Sequence, residues 1–366
     1  MTNMPMLRQS ASAPAQSIAR WARNCAAWGL LGLMLAVEAN AADIVIRKGG
    51  ARVGGEAVAT KAGITVKPQA GDEVSIPLAD VQSVEWDSMP ATFKIALSDL
   101  AAGRYDKAIE SLSKLKSDGK LPNDNVKKEV GYALARAKGL LAQTNAAKVD
   151  DAVKELKAIQ ASDPDFYQYF PSVILLGDLL VNKGSFDEAA KVFESFDAVT
   201  DPSLKLQGRS YVGRVLLAQG KVPEAIKAFD EVIAASGTDE ALAPRKLDAM
   251  VGKARAAVQK NQYAEALPLL DEVMANLTEA STGVGAETKL LQGNSLQALN
   301  KPMEAVLSYL YVDLNYPNES AARAEALYHL TNLWRVVQHP DRGLEARARL
   351  EADYPGSPWA KKLAGN

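Results

Sequence analysis

Two hydrophobic periods divide the chain. Between residue 43 and about residue 88 apolar and polar positions alternate in twos, and from about residue 90 onward apolar positions recur every three to four. The first segment predicts four or five short strands: residues 43–47, with Ile44 and Ile46 sharing a face, then 57–60, 64–66 and 74–76, and a closing stretch through Val81, Val84 and Trp86. Gly49-Gly50 and Gly54-Gly55 read as turn or bulge signals. So small a module cannot bury an adequate core by itself. It is expected to lean on the first helices as a small barrel or curled sheet.

The helical part repeats one unit. Gly177, Gly184-Ser185-Phe186-Asp187-Glu188-Ala189 and Phe193 recur 36 residues later as Gly213, Gly220-Lys221-Val222-Pro223-Glu224-Ala225 and Phe229. The same turn-then-alanine pattern stands upstream as Gly103-Arg104-Tyr105-Asp106-Lys107-Ala108. Downstream it stands as Asn261-Gln262-Tyr263-Ala264-Glu265-Ala266, and as Asn300-Lys301-Pro302-Met303-Glu304-Ala305 after Gly293. Asp163-Pro164, Tyr316-Pro317 and Tyr354-Pro355 close units, because proline cannot continue a helix. A small residue at a helix crossing lets two backbones approach, and a large residue one turn on fills the space beside it.

These residues resemble the tetratricopeptide repeat family, whose unit is an antiparallel helix pair of about 34 residues. The resemblance implies that Gly177 and Gly213 are the small residues of first helices, Ala189 and Ala225 those of second helices, and Gly184 and Gly220 the turns. It covers roughly residues 90–360, with degenerate units around residues 139–164 and 327–355. The anchor alanines (Ala108, Ala152, Ala189, Ala225, Ala266, Ala305) are 44, 37, 36, 41 and 39 residues apart. All exceed the family's usual length, so longer helices or loops are expected near Asn145, Gly237 and Gly283, with a break at residues 281–285. The implied fold is mostly α: a tetratricopeptide-like α–α superhelix of six or seven pairs at 89–360, preceded at 42–88 by a β module. Residues 76–86 resemble the closing part of SH3-like or Sm-like barrels. Residues 354–360 resemble repeat endings in bacterial cell-envelope proteins.

The N-terminus changes the picture of location. Arg8, Arg20 and Arg23 precede 13 uncharged residues, 25–37, and then Ala39-Asn40-Ala41, a small-x-small cleavage pattern. A signal peptide at 1–41, cut after Ala41, and a periplasmic protein are expected; the run is too short to span a bilayer. Cys25 is the only cysteine and lies in that leader, so disulfides, thiol nucleophiles and thiolate metal sites are excluded from the remainder. Composition is ordinary at 48% hydrophobic and 23% charged, with a net charge of −2. Losing three arginines and Glu38 with the leader makes the remainder more acidic, which argues against nucleic acid as a partner.

Candidate chemistry thins out on inspection. His329 and His339 lack metal-ligand spacing and read as a helix-surface residue and a turn residue. Gly208-Arg209-Ser210-Tyr211-Val212-Gly213 has the wrong spacing for a nucleophile elbow and falls in a helix. The glycines at 49–55 precede a strand, not the helix a phosphate cradle needs. Asp150-Asp151 and Asp187-Glu188 sit at helix starts, where negative charge is favoured. No enzyme, cofactor or metal is expected, and the acidic candidates at the module junction, Asp80, Glu85 and Asp87, read as surface.

The expected function is a protein-interaction scaffold binding a partner protein or peptide along the concave face lined by first helices. Gln207, Ser210, Arg214, Arg255, Asn294 and Gln297 are the candidate contact residues. The alternative is an envelope assembly factor docking its β module on a membrane complex or wall polymer. The aromatic cluster Phe166, Tyr167, Tyr169 and Phe170 is either a binding patch or packing between the second and third hairpins; packing is the preferred reading.

Overall fold

Five strands open the fold: β1 (Asp43–Arg47), β2 (Arg52–Thr60), β3 (Gly63–Lys67), β4 (Val74–Ile76) and β5 (Val81–Glu85). They form one antiparallel sheet in the order β4-β3-β2-β1-β5. The sheet is open, a curled sheet and not a barrel. Its core face carries Val45, Ala57, Ile64, Val66, Ile76 and Val84. On β1 the residue turned to the core is therefore Val45, while Ile44 and Ile46 are half-buried on the other face. Gly49 and Gly50 make the expected turn. Gly54 and Gly55 instead lie inside β2, where the strand leaves β1 and takes up β3. A Cβ on Gly55 would stand 2.3 Å from the Lys67 carbonyl oxygen, so a bare backbone is required at that crossover.

The computed structural model describes residues 42–278 and 281–365. The expected leader and its cleavage point lie outside them. After the sheet come seven helix pairs and a last helix: α1 (Ala91–Ala101) with α2 (Tyr105–Ser117), α3 (Asp124–Thr144) with α4 (Val149–Ser162), α5 (Tyr169–Lys183) with α6 (Phe186–Phe193), α7 (Pro202–Ala218) with α8 (Val222–Ser236), α9 (Ala243–Gln259) with α10 (Tyr263–Ala275), α11 (Thr282–Ala298) with α12 (Pro302–Asn315), α13 (Ser320–Val336) with α14 (Pro340–Asp353), and α15 (Pro358–Ala364).

Each pair closes for local reasons. A left-handed residue ends the first helix of most pairs: Gly103, Gly184 and Gly220, and also Asn261, Asn300 and Gln338. Asparagine tolerates this conformation better than most residues, which is why it replaces glycine there. The six anchor alanines are all buried. The small residues of the first helices meet aromatic rings: a Cβ on Gly177 would stand 2.1 Å from the Phe193 ring, on Gly213 2.7 Å from Phe229, and on Gly293 2.6 Å from Tyr309. Residues 282–285 form the first turn of α11 and not a break; Gly285 packs so tightly on Tyr316 that a Cβ would lie 2.2 Å from its hydroxyl.

Successive first helices pack on one another: α3 on α5, α7 on α9, α9 on α11, α11 on α13, and α13 on α15. Successive second helices make at most marginal contact. In a two-layer stack the layer whose members touch is the inner, compressed one, so the odd-numbered helices line the concave side. One rung is wider: α5 and α7 hardly touch, because a 3-10 turn (Glu194–Ala198) wedges Phe196 against Gly208 of α7.

The sheet does lean on the first helices. Trp86, Phe93, Ala96, Leu112, Val126, Val130, Tyr132, Phe166 and Tyr167 form one core with the strands. The aromatic cluster is packing and divides in two: Phe166 and Tyr167 join the core of the sheet and α3, while Phe170, with Tyr169 beside it, packs among the second and third hairpins as expected. Phe166 stacks on Trp86 with ring centroids 6.2 Å apart and pairs as an isolated bridge with Thr60. At the far end, the α1–α2 turn, the end of α3 and the loop before α15 line a shared cavity of about 590 Å³ that includes Tyr105, Tyr354 and Trp359. The first and last hairpins thus come round to face each other.

Candidate functional site

The inner helices carry polar residues in two rows, two helical turns apart. The lower row is Gln207 on α7, Asp248 on α9, Glu287 on α11 and Glu325 on α13; the upper row is Asp178 on α5, Arg214 on α7, Arg255 on α9 and Asn294 on α11. Seven residues are close to two full turns, so each helix shows both rows on one face.

Upper-row residues reach diagonally to the lower row of the next helix. Arg214 Nη2 donates to Asp248 Oδ1 at 2.6 Å and stands 3.8 Å from Glu287. Arg255 Nη2 donates to Glu287 Oε1 at 2.6 Å. Burial pushes the Glu287 carboxyl up, and the two guanidinium groups outweigh that and hold it below its usual range. Glu325, which takes a hydrogen bond from Asn294, is raised, chiefly by burial. The ladder ends in aromatics: Tyr309 donates to Asn294 Oδ1 at 2.6 Å and stacks on His329 at 4.7 Å, with Trp359 and Lys362 beyond.

Each sequence-nominated residue has a definite place. Gln207 is half-buried, 3.5 Å from the Tyr211 hydroxyl. Arg214, Arg255 and Asn294 are the donors of the ladder. Gln297 is exposed and accepts from Tyr309 at 3.4 Å. Ser210 is buried with its hydroxyl unpartnered among the described residues, so it cannot meet a partner. At 100° per residue Ser210 lies to one side of the stripe through Gln207 and Arg214, and the half-buried Tyr211 occupies the middle turn instead. His329 is not a free surface residue: burial, with Lys362 adding to it, pushes its imidazole down to about 4. His339 is exposed in the turn before Pro340.

The sequence reading missed Asp178, Tyr211, Asp248, Glu287 and Glu325. A signal existed. Aligning hairpins on their anchor alanines, and the last on Gly343, puts Asp248, Glu287 and Glu325 at one position, which nominating only basic and amide residues conceals.

At the module junction Asp80 pairs with Arg47 and Glu85 with Arg52, both at 2.7 Å on the surface. The buried carboxylate there is Glu129 of α3. It accepts from Trp86 Nε1 at 2.9 Å, the Tyr167 hydroxyl at 2.8 Å and Gln168 Nε2 at 3.3 Å, and burial raises it. Among the described residues no three His, Cys, Asp or Glu side chains converge on a metal position, and no helix is long and apolar enough to cross a membrane.

Sequence models of the tetratricopeptide repeat match residues 213–279, from α7 to α10, and residues 91–118, the first hairpin. This is a tetratricopeptide repeat protein. Its repeats are a protein–protein interaction scaffold, whose partners are proteins or peptides. A search of the curated proteins finds no match. Similar solved structures include a Rap protein complexed with competence and sporulation factor, at 13% identity and TM-score 0.45, covering 74% of this chain and 77% of that one. BtubC from P. vanneervenii has 13% identity and TM-score 0.42, covering 58% and 90%. PilF of Pseudomonas aeruginosa has 16% identity and TM-score 0.31, covering 75% and 96%.

Proposed function

We propose that this tetratricopeptide repeat protein is an exported, non-enzymatic scaffold of the bacterial cell envelope that holds an extended segment of a partner protein along its inner face. The observation that carries the reading is the diagonal ladder. Four successive inner helices, α7 to α13, present prearranged polar and aromatic groups at one repeating register, and Arg255 and Gln297 stand exposed along it. Fixed donors and acceptors spaced by the repeat suit a peptide backbone, which offers the same pairing at regular intervals. Export rests on the leader pattern at residues 1–41.

Photo-crosslinking side chains placed singly at Arg255 and Gln297, and at the exposed positions Val58 on the sheet and Leu314 on the outer layer, test the reading. In intact cells the inner positions are expected to capture one protein, with the crosslinks mapping to one continuous segment of it. Capture from Val58 alone replaces this reading with docking of the β module on a membrane complex or wall polymer. N-terminal sequencing of the purified protein is expected to begin at Ala42; a start at Met1 removes the export part.

A further inference from the structure

The ladder is interrupted at one rung. On α7, α9 and α11 the upper-row residue is a donor that meets the next helix's acceptor. On α5 the order is reversed: the upper-row residue is the acid Asp178, and the next lower-row residue is the neutral Gln207, whose amide is turned to Tyr211. Here too the 3-10 wedge holds α7 away from α5. Asp178 accordingly has no hydrogen bond or ion pair among the described residues, and it is half-buried. Arg214, the cation that acts on its carboxyl, is committed to Asp248 and Glu287.

Asp178 lines a cavity of about 490 Å³ with Arg136, Leu140 and Gln143 of α3 and Ile174 and Leu175 of its own helix. The charges around it do not cancel. Glu129 and Asp178 supply two carboxylates and Arg136 one guanidinium, and Arg136 acts on Glu129, not on Asp178. Tyr211 on α7 is the other titratable group that feels Asp178. A carboxylate without an ion pair in a partly enclosed recess is costly unless something charged answers it.

We propose that Asp178 is the specificity-determining subsite of the inner face, taking a lysine or arginine side chain from the partner segment, with the aliphatic stem against Leu140 and Ile174 and the charged head on the carboxylate. The inference rests on the inner-face reading above and names the chemistry of its ligand. A cation there supplies the missing donor of the open rung and balances the recess. An acidic side chain at the same point meets a second negative charge.

The test uses fluorescein-labelled decapeptides of Gly, Ala and Leu with one central Lys, norleucine or Glu, followed by fluorescence anisotropy at low salt. The Lys peptide is expected to bind about tenfold tighter than the norleucine peptide, and the Glu peptide more weakly than either. Asp178→Asn is expected to abolish the Lys preference, while Asp151→Asn, an exposed carboxylate at the start of α4, leaves it intact. Circular dichroism checks that both variants fold. Equal binding of the Lys and norleucine peptides, or a preference that survives Asp178→Asn, overturns the subsite. If in that case binding is still lost on Arg255→Glu, the inner-face reading stands without it. Failure of every peptide to bind removes both.

Discussion

At the residue scale, the fold turns on a few contacts between glycine and aromatic rings. Gly177 sits under the Phe193 ring with no room for a methyl group, and Phe193 is itself stacked on Tyr211 at 4.9 Å. Gly177→Ala should cost about 1–3 kcal/mol in urea unfolding, because the ring must leave a packed position. The Asp178 carboxyl makes a second prediction. Burial raises it to about 6, with Arg214 pulling the other way. The folded state therefore holds a proton that the unfolded state has already released, so stability falls as pH rises through the window from about 4 to about 6. Asp178→Asn should be more stable than the parent by about 1–2 kcal/mol at pH 7.5 and equal to it at pH 3.5. A flat difference across that range contradicts the assignment. Residues of this kind show how far the sequence could be read. Gly177 and Ala189 announce themselves by identity and spacing. Asp178 does not, since an aspartate beside a glycine in an apolar helix carries no mark of the wedge that isolates it.

At the scale of elements, period and punctuation revealed most of the architecture. The switch from alternation to a three-to-four repeat located the end of the sheet, and Tyr-Pro and Asp-Pro pairs located the ends of α4, α12 and α14. What stayed hidden was pairing between distant elements. Gly54-Gly55 reads as a turn in isolation, and only the arrival of β3 beside β2 explains its place inside a strand. Glu129 is a polar residue in α3 until Trp86 and Tyr167 come round to it from residues 43 and 38 positions away. Glu129→Ala strips two buried donors of their acceptor and should cost about 2–4 kcal/mol. It should also loosen the sheet before the helices: limited proteolysis is expected to cut within residues 43–88 while the repeats stay intact. Glu129→Gln, which keeps an acceptor, should be milder. Simultaneous loss of sheet and repeats would mean that the two do not part at this seam.

At the scale of the molecule, the ladder and the shared end cavity act over distances that no single hairpin spans. In an open solenoid each hairpin answers only to its neighbours. Here the turn after α1 and the loop before α15 border one cavity. Deleting residues 319–366 should therefore raise hydrogen exchange in α1 and α2, two hundred residues away in sequence, while leaving α5 and α6 unchanged. An identical exchange pattern in α1 and α2 would show that the ends are independent. Nothing in the local sequence of either end foretells this, because curvature accumulates from small rotations at every pair.

The meeting of the two ends also bears on self-association. Stacked arrays present one kind of face at the front and a complementary kind at the back, an arrangement that invites a second copy to add end to end and a third after it. In this protein front and back look into the same small space. A second copy adding at either end would have to enter the space that both ends border, and the inner face that one ligand can follow spans seven pairs.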